Sequence, residues 1–300
     1  MSIPFDTNCM KINKIRPDEH IFTQRLGDIA SAPKSLCYIG ELPQNSPPVV
    51  AIVGSRKPTP YGTEVTQRLA YDLAKRGVVI VSGLALGVDA LAHKAALEAS
   101  GITIGIVVNA LPDISPRTNV PLAKSIVAHG GAIMSEWREG DDVHVTKWSF
   151  LERNRLVSGV ADAVIVTEAA AKSGTLNTVG HALSQGREVF SVPGNITSPL
   201  SEGCNSILKQ GAHPVTEAID VLEVIAPHLL ANPRDTQTRL PLGDTPAENA
   251  ILQLLMAGIR DGEQLQQQSS LAPADFATTL TMLEINGLIK PLGANQWTIK

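Results

Sequence analysis

Short runs of apolar, mostly β-branched residues recur through the first two thirds of the chain. They are VVAIVG (49–54), VVIVSG (78–83), ITIGIVV (102–108), AVIVTE (163–168) and EVFSVPG (188–194). Each run is apolar at successive positions and does not alternate, which is typical of strands that are covered on both faces. Between them lie predicted helices such as 61–77 and 89–101, each closed by a glycine that suits a helix C-terminus.

This alternation predicts an α/β fold with a doubly wound, mostly parallel, Rossmann-like sheet over residues 49–226. In such a sheet the crossovers are right-handed, and ligands bind at the carboxyl ends of the strands. Residues 1–48 are of mixed polarity and end in a turn-rich stretch, so we interpret them as an N-terminal extension.

A second pattern begins near the C-terminus. Residues 227–244 contain three prolines among polar residues and are predicted to be a linker. Residues 245–300 then read as three helices followed by two short strands around a tight turn. This order predicts a small winged-helix domain.

The composition supports a folded chain and limits its partners. Of its 300 residues, 43% are apolar and 18% are charged, which suits a buried core and excludes a disordered chain. Lys and Arg number 25 against 29 Asp and Glu, a formal net charge of −4. This balance excludes a polybasic coat of the histone type, although it leaves room for a local cationic pocket.

Other compositional features exclude further classes. The three cysteines, Cys9, Cys37 and Cys204, have no metal-site spacing, and their odd number argues against a disulfide framework. The sequence lacks both a signal-peptide pattern and an apolar segment of about 20 residues. We therefore expect a soluble cytoplasmic protein with reduced thiols and no membrane association.

Four loops that follow predicted strands have the composition of anion sites. Glycine or serine stands at a strand–helix turn in each, where the unpaired N–H groups of a helix N-terminus attract phosphate. None has the dinucleotide fingerprint or the P-loop pattern, so no cofactor is predicted. The residues concerned are Gly54, Ser55 and Arg56 in loop 53–62, Gly83 and Gly87 in loop 81–93, Lys172, Ser173 and Gly174 in loop 167–183, and the glycines of loop 192–205.

The stretch KWSFLERNR (147–155) interleaves basic and aromatic residues. Lys147, Arg153 and Arg155 could contact a sugar–phosphate backbone while Phe150 stacks on a base. In the other interpretation, which the spacing alone slightly favours, the apolar residues of a helix face the core and the arginines are solvated.

Together these segments resemble the DNA-processing protein A (DprA/Smf) family. The GSR loop, SGLALGVDALAH, SFLERNRLVSG, VTEAAAKSGTLNTVGHALSQGREVFSVPG and GCNSILKQGA occur in the family's order over residues 36–225. The resemblance implies a Rossmann-like domain that binds single-stranded DNA without sequence preference. It also implies a homodimer that helps to load the RecA recombinase during natural transformation.

The resemblance also assigns residues. It places Gly54, Ser55 and Arg56 in a phosphate pocket, Ser82, Gly83, Gly87 and Asp89 on a second signature loop, Arg153, Asn154 and Arg155 in an RNR element, and Ser173 and Gly174 in an SG turn. Two features depart from the family pattern. Leu86 stands where an arginine is usual, and we expect the N-terminal helical domain that many members carry to be absent or reduced to a remnant.

Two other functions stay open at this point. One is a nucleoside-monophosphate phosphoribohydrolase, for which Glu168 would be the only candidate acid, although the expected PGGxGT element reads AAAKSGT. The other is a nucleotide sensor that regulates a partner. The predicted recognition helix of residues 245–300 contains no Lys or Arg, so we expect this domain to contact protein.

Overall fold

The computed structural model describes residues 11–141, 144–230, 245–293 and 295–299. The chain divides into two compact units, Met1–Ala231 and Asn232–Lys300. Most of the predicted linker, residues 231–244, lies outside the described residues. Within the described ranges, no helix combines the length and apolar character that crossing a bilayer requires.

The first unit is built on one twisted sheet. Its strands, in the order in which they lie side by side, run β1-β2-β6-β5-β4-β3-β7-β8-β9. All pairings from β6 to β9 are parallel, which confirms the predicted doubly wound arrangement. The strands are β1 (Asn13–Ile15), β2 (Leu36–Gly40), β3 (Val49–Val53), β4 (Val79–Ser82), β5 (Thr103–Ile106), β6 (Ala132–Ser135), β7 (Ala163–Val166), β8 (Glu188–Ser191) and β9 (His213–Pro214).

The segment before residue 49 contributes directly to this sheet. Strand β2 pairs antiparallel with β6, and β1 pairs antiparallel with β2. Leu36 and Ile39 of β2 are buried in the core. The structure thus places residues 13–40 within the sheet domain, whereas their mixed polarity predicts an extension that leads into it.

Helices cover both faces of the sheet. Val50 and Ile52 of β3 pack with residues of α1, α2 and α7, whereas Val49, Ala51 and Val53 pack with residues of α4 and α5. Adjacent residues of a strand point to opposite faces, so this explains the uninterrupted apolar runs. The helices are α1 (Pro60–Lys75), α2 (Val88–Glu98), α3 (Val120–Ala128), α4 (Lys147–Gly159), α5 (Thr175–Ser184), α6 (Glu202–Lys209) and α7 (Ala218–Ile225).

The second unit has the predicted order of three helices and a hairpin. Trp297 N–H donates to Arg260 O (3.0 Å), and Gly262 N–H donates to Asn295 O (2.9 Å), so the hairpin is tied to the start of the second helix. A small core of leucines, isoleucines and Phe276 holds the helices together. Its elements are α8 (Pro246–Met256), α9 (Gly262–Ser269), α10 (Pro273–Ile285), β10 (Ile289–Gly293) and β11 (Gln296–Ile299).

One histidine of the first unit, His93, is fully buried. The Thr103 hydroxyl donates to Ile80 O (2.7 Å), so it accepts from Nδ1–H of His93 (2.6 Å), and the buried Nε2 has no partner among the residues that the structure describes. Burial, with a smaller effect of Arg153, lowers the pKa of His93 from 6.5 to about 3. The neutral ring is therefore accommodated in the fold and the imidazolium is not.

We expect the free energy of unfolding to fall as the pH drops below the unfolded-state pKa of about 6.5 and on towards 3, by up to about 1.4 kcal/mol per pH unit. Above pH 6.5 the contribution of neutral His93 is fully present. Urea unfolding at pH 7.5 and 5.5 measures the loss. His93→Gln should flatten this dependence, and His129→Gln, which changes an exposed histidine, should leave it intact. Equal slopes in all three proteins would contradict the assignment.

Candidate functional site

A pocket of the first unit lies where the strand order reverses. Strand β3 stands between β4 and β7, and the loops after all three strands line a pocket of about 380 Å³. Helix α4 contributes a further wall. Ligands of doubly wound sheets bind at this switch point, outside the carboxyl ends of the strands. The structure brings together here Gly54, Ser55, Arg56, Gly83, Phe150, Arg153, Asn154, Lys172, Ser173 and Gly174.

The loop after β3 is held by close backbone contacts. Ser55 N–H donates to Glu168 O (2.8 Å), and Val88 N–H donates to Ser55 O (3.1 Å). Gly87 has a φ of +76°, and a Cβ built on it would lie 2.4 Å from Ser55 O. Only glycine permits both this conformation and this approach. Gly87 therefore positions the loop of Ser55 and Arg56 without lining the pocket itself.

The loop after β7 leads into the N-terminus of α5. Ser173 Oγ accepts from Thr175 N–H (3.2 Å), and Thr175 Oγ1 donates to Gly54 O (3.2 Å), which links this loop to the loop after β3. Gly174 precedes the helix and is exposed, as is Lys172. The N–H groups of Thr175, Leu176 and Asn177 are bonded within this turn, so the helix dipole and the exposed lysine beside it are what attract anions here.

Arg153 forms the floor of the pocket. Its side chain is 7% exposed, and Nη1 donates to Gly83 O (2.7 Å) and to Ile106 O. Asp89 is also buried and accepts from Gly83 N–H (3.1 Å) and Ala85 N–H (3.2 Å). Burial lowers the pKa of Arg153 to about 10, opposed by the nearby Asp89, and it raises the pKa of Asp89. Together these two groups hold the loop after β4.

Arg56 is an exposed cation of the pocket. Its Cζ atom lies 5.4 Å from the centroid of the Phe150 ring, in the range of a cation–π contact. Arg56 and Lys172 are exposed and in no ion pair among the described residues. Among the residues that the structure describes, Asp89 is the only carboxylate that lines the pocket, and it is buried and hydrogen-bonded, so the mouth of the pocket is cationic.

Four residues of the predicted set lie outside the pocket lining. Besides Gly87, Ser82 is fully buried and donates to Ile52 O (2.6 Å). Lys147 is exposed at the start of α4. Arg155 binds Glu136 through Nη1 (2.9 Å) and Nη2 (2.7 Å), so its guanidinium is already engaged. In one interpretation of the RNR stretch both arginines contact the DNA backbone, and in the other both are solvated. The structure shows neither arrangement, because Arg153 is buried and Arg155 is paired with Glu136.

The structure also adds pocket residues that were not assigned from the sequence. Thr175 and Thr178 lie on the first turns of α5, and Leu200 comes from the fourth glycine-rich loop, which contributes nothing else to the lining. Thr175 could have been predicted as a pocket residue, because it directly follows Ser173-Gly174 in the sequence. No sequence pattern marks Leu200 as a pocket residue, because only the packing of its loop brings it there.

Glu168 is built into the scaffold next to the pocket. It is 2% exposed and accepts from Thr59 N–H (2.8 Å) and Thr59 Oγ1–H (2.6 Å). Thr59 in turn caps α1 by accepting from Gly62 N–H (3.1 Å). Both oxygens of this carboxylate are therefore used at a helix start, and the residue does not line the pocket.

Comparison with known protein families shows to which family this chain belongs. A family model described as DNA recombination-mediator protein A matches residues 13–226. The chain belongs to this family. A second model, the DprA winged helix domain, matches residues 235–295, which confirms the predicted winged helix.

Relatives within the family share both sequence and structure with this chain. Protein Smf of Escherichia coli K12 is 43% identical over 209 residues, which cover 70% of this chain and 55% of the relative. The DNA processing protein DprA of Bacillus subtilis is 41% identical over 174 residues, 58% of each chain. The chain thus spans little more than half the length of these two relatives.

Two solved structures of the family share the fold. DNA processing protein A from Streptococcus pneumoniae gives a TM-score of 0.66 at 36% identity and covers 72% of this chain and 75% of its own. The protein from Helicobacter pylori gives 0.61 at 32% identity, covering 72% of this chain and 95% of its own, and was studied for its single-stranded DNA binding mode. Both comparisons agree with the α/β fold described above.

Proposed function

We propose that this chain binds single-stranded DNA in the switch-point pocket and acts as a recombination mediator. The observation that carries the proposal is the cationic mouth formed by Arg56 and Lys172 beside the N-terminus of α5, in a member of a recombination-mediator family. The single-stranded DNA binding of the Helicobacter pylori relative supports the same ligand. Such a site binds backbone phosphates and does not contact the base edges that distinguish one sequence from another. We therefore expect binding without sequence preference.

The test is the affinity for an oligonucleotide against its duplex, measured by fluorescence anisotropy in a salt titration. We expect the single strand to bind more tightly. The slope of log K against log salt should lie near −1.4 for each pocket, since two cations each neutralise one phosphate at about −0.7. Equal or tighter duplex binding, or binding that salt does not weaken, would overturn the proposal.

Leu86 offers a gain-of-function prediction. It is 48% exposed and follows Ala85, which lines the pocket. Leu86→Arg should tighten single-stranded DNA binding a few-fold and steepen the salt slope by about 0.7, because one more phosphate is neutralised. Leu86→Gln is the control of similar size without charge. If both variants bind alike, the side chain at this position does not face the DNA.

We further propose that the protein is not catalytic. This is supported by the engagement of Glu168 with Thr59, because a phosphoribohydrolase would need a carboxylate free to act in the pocket. Incubation with AMP or cytidine monophosphate tests the point. Release of free base, abolished by Glu168→Gln, would favour the hydrolase. Thermal shifts with nucleotides but not with poly-dT would favour a nucleotide sensor.

The cellular role is part of the proposal. We infer that the protein is a cytoplasmic homodimer that protects incoming single strands and loads the RecA recombinase in natural transformation, on the basis of its family. Two pockets in a dimer would raise the affinity for strands long enough to reach both. RecA-driven strand exchange on DNA coated with single-strand binding protein, with and without this protein, tests the loading.

The winged-helix unit is proposed to contact protein. The exposed positions of α10 include Met282 and Ile285, which are 45% and 72% exposed, and the hydroxyl of Thr281 is turned back to Ala277 O (2.9 Å). This face offers no cation to phosphate. Tight duplex binding by the protein that Ile285→Glu weakens would contradict a protein-contact role for this face.

A further inference from the structure

A second concavity borders the pocket, and helix α4 lies between the two. Its volume is about 1230 Å³. Two of the three tryptophans of the chain, Trp137 and Trp148, line it, and they are 43% and 74% exposed. We name it the tryptophan groove, after these two residues. Large aromatic side chains are normally buried, so two exposed ones in one concavity point to a ligand.

The groove is continuous with the pocket. Phe150, Asn154 and Val157 of α4 line the pocket, whereas Trp148 and Arg155 line the groove. Residues three or four apart share a face of a helix, so these are two different faces of α4.

Two features join the concavities along the side of this helix. Leu151 lines both of them. Asn154 in the pocket donates to Asn177 Oδ1 in the groove (3.2 Å). A chain that leaves the pocket over Leu151 and Asn154 therefore enters the groove.

The charges of the groove suit bases better than phosphates. Its arginine, Arg155, is neutralised by Glu136, and Asp141 accepts from Arg138 N–H (2.9 Å). Lys14 and Lys34 are exposed and in no ion pair among the described residues, while Glu152 adds an exposed carboxylate. The groove thus presents aromatic surface with nearly balanced charge, unlike the cationic mouth of the pocket.

We propose that the tryptophan groove binds unpaired bases of the same strand whose phosphates occupy the pocket. This inference rests on the proposed function. Trp148 and Trp137 would each stack on a base, and stacking accepts any base because every base has a π-face. The groove would thereby extend the site by the nucleotides next to those held in the pocket, without adding sequence preference.

The test compares the unaltered protein with Trp148→Ala and Trp137→Ala on oligo-dT of increasing length. Strands that fill only the pocket should bind all three alike. Longer strands should bind the two variants about tenfold less tightly, the loss expected for one stacked base. Abasic nucleotides at the positions that reach the groove should weaken the unaltered protein more than either single substitution does, and they should weaken the double variant Trp137→Ala/Trp148→Ala no further. Tyr71→Ala, which removes an aromatic side chain that lines neither concavity, is the matched control.

The outcomes separate this inference from the function on which it rests. If both tryptophan variants bind long strands as Tyr71→Ala does, while Arg56→Ala loses binding, the groove does not hold bases and only this inference is overturned. If the unaltered protein binds no single-stranded DNA, the proposed function and the inference both fail.

Discussion

Arg56→Ala is expected to weaken single-stranded DNA binding about ten- to a hundredfold. Arg56 is an exposed cation at the pocket mouth, 5.4 Å from the Phe150 ring, and its loss removes a charge-assisted hydrogen bond to phosphate, worth about 1.5–3 kcal/mol. Fluorescence anisotropy with a labelled oligo-dT measures the change. The thermal unfolding temperature should change little, because among the described residues the exposed side chain makes no hydrogen bond and loses only its cation–π contact with Phe150.

The controls for this prediction separate position from charge. Arg68→Ala removes an exposed arginine of α1 that does not line the pocket, so it should leave affinity nearly unchanged. Arg56→Lys keeps the charge but loses the planar fork and the stacking on Phe150, so it should give an intermediate affinity. If Arg56→Ala binds as tightly as Arg68→Ala, DNA is not held in this pocket.

Arg153→Met should lower the free energy of unfolding by about 3–4 kcal/mol. The substitution leaves the buried carbonyls of Gly83 and Ile106 without this donor and removes the cation near buried Asp89. For a unit of this size we expect the unfolding temperature to fall by about 10 °C. Calorimetry measures it, and the weakened loop after β4 should reduce DNA affinity as a secondary effect.

A double-mutant cycle with Asp89 tests the cause. Asp89→Asn keeps the shape of the side chain and removes its charge, so the combined variant should lose less than the sum of the single losses. Arg68→Met is the control for a surface arginine. An unfolding temperature for Arg153→Met equal to that of Arg68→Met would show that the buried guanidinium does not support the pocket floor.

The local pattern of hydrophobic residues predicts some strands of the sheet and misses others. The run 49–54 was predicted as a doubly covered strand, and β3 spans Val49–Val53 with alternate residues packed on opposite faces. Strand β6 was not predicted, because its four residues Ala132–Ser135 form only a short apolar run between Gly131 and Glu136. Strands β1 and β2 were missed because antiparallel pairing at the edge of a sheet depends on a partner far along the chain.

The glycines that follow α1 and α2 show that sequence position alone does not fix where a helix ends. Gly77 follows α1 with a φ of +85°, as its sequence position predicted. After α2 the left-handed residue is Ser100, with a φ of +56°, and not Gly101. Gly101 is used instead for close packing, since a Cβ built on it would lie 2.7 Å from the Cβ of Ala74.

The sequence by itself determined that glycine- and serine-rich loops meet at one sheet edge, because strand–helix alternation brings the carboxyl ends of parallel strands together. It could not determine which arginine of the RNR stretch would face a ligand. Arg153 and Arg155 are two positions apart on α4, and about 100° of rotation per residue sends them to opposite sides of the helix. Arg153 reaches the carbonyls of Gly83 and Ile106 under the pocket, whereas Arg155 reaches Glu136. Only the packing of α4 on the sheet sets that rotation, so the tertiary structure left Arg56 and Lys172 as the exposed cations of the pocket.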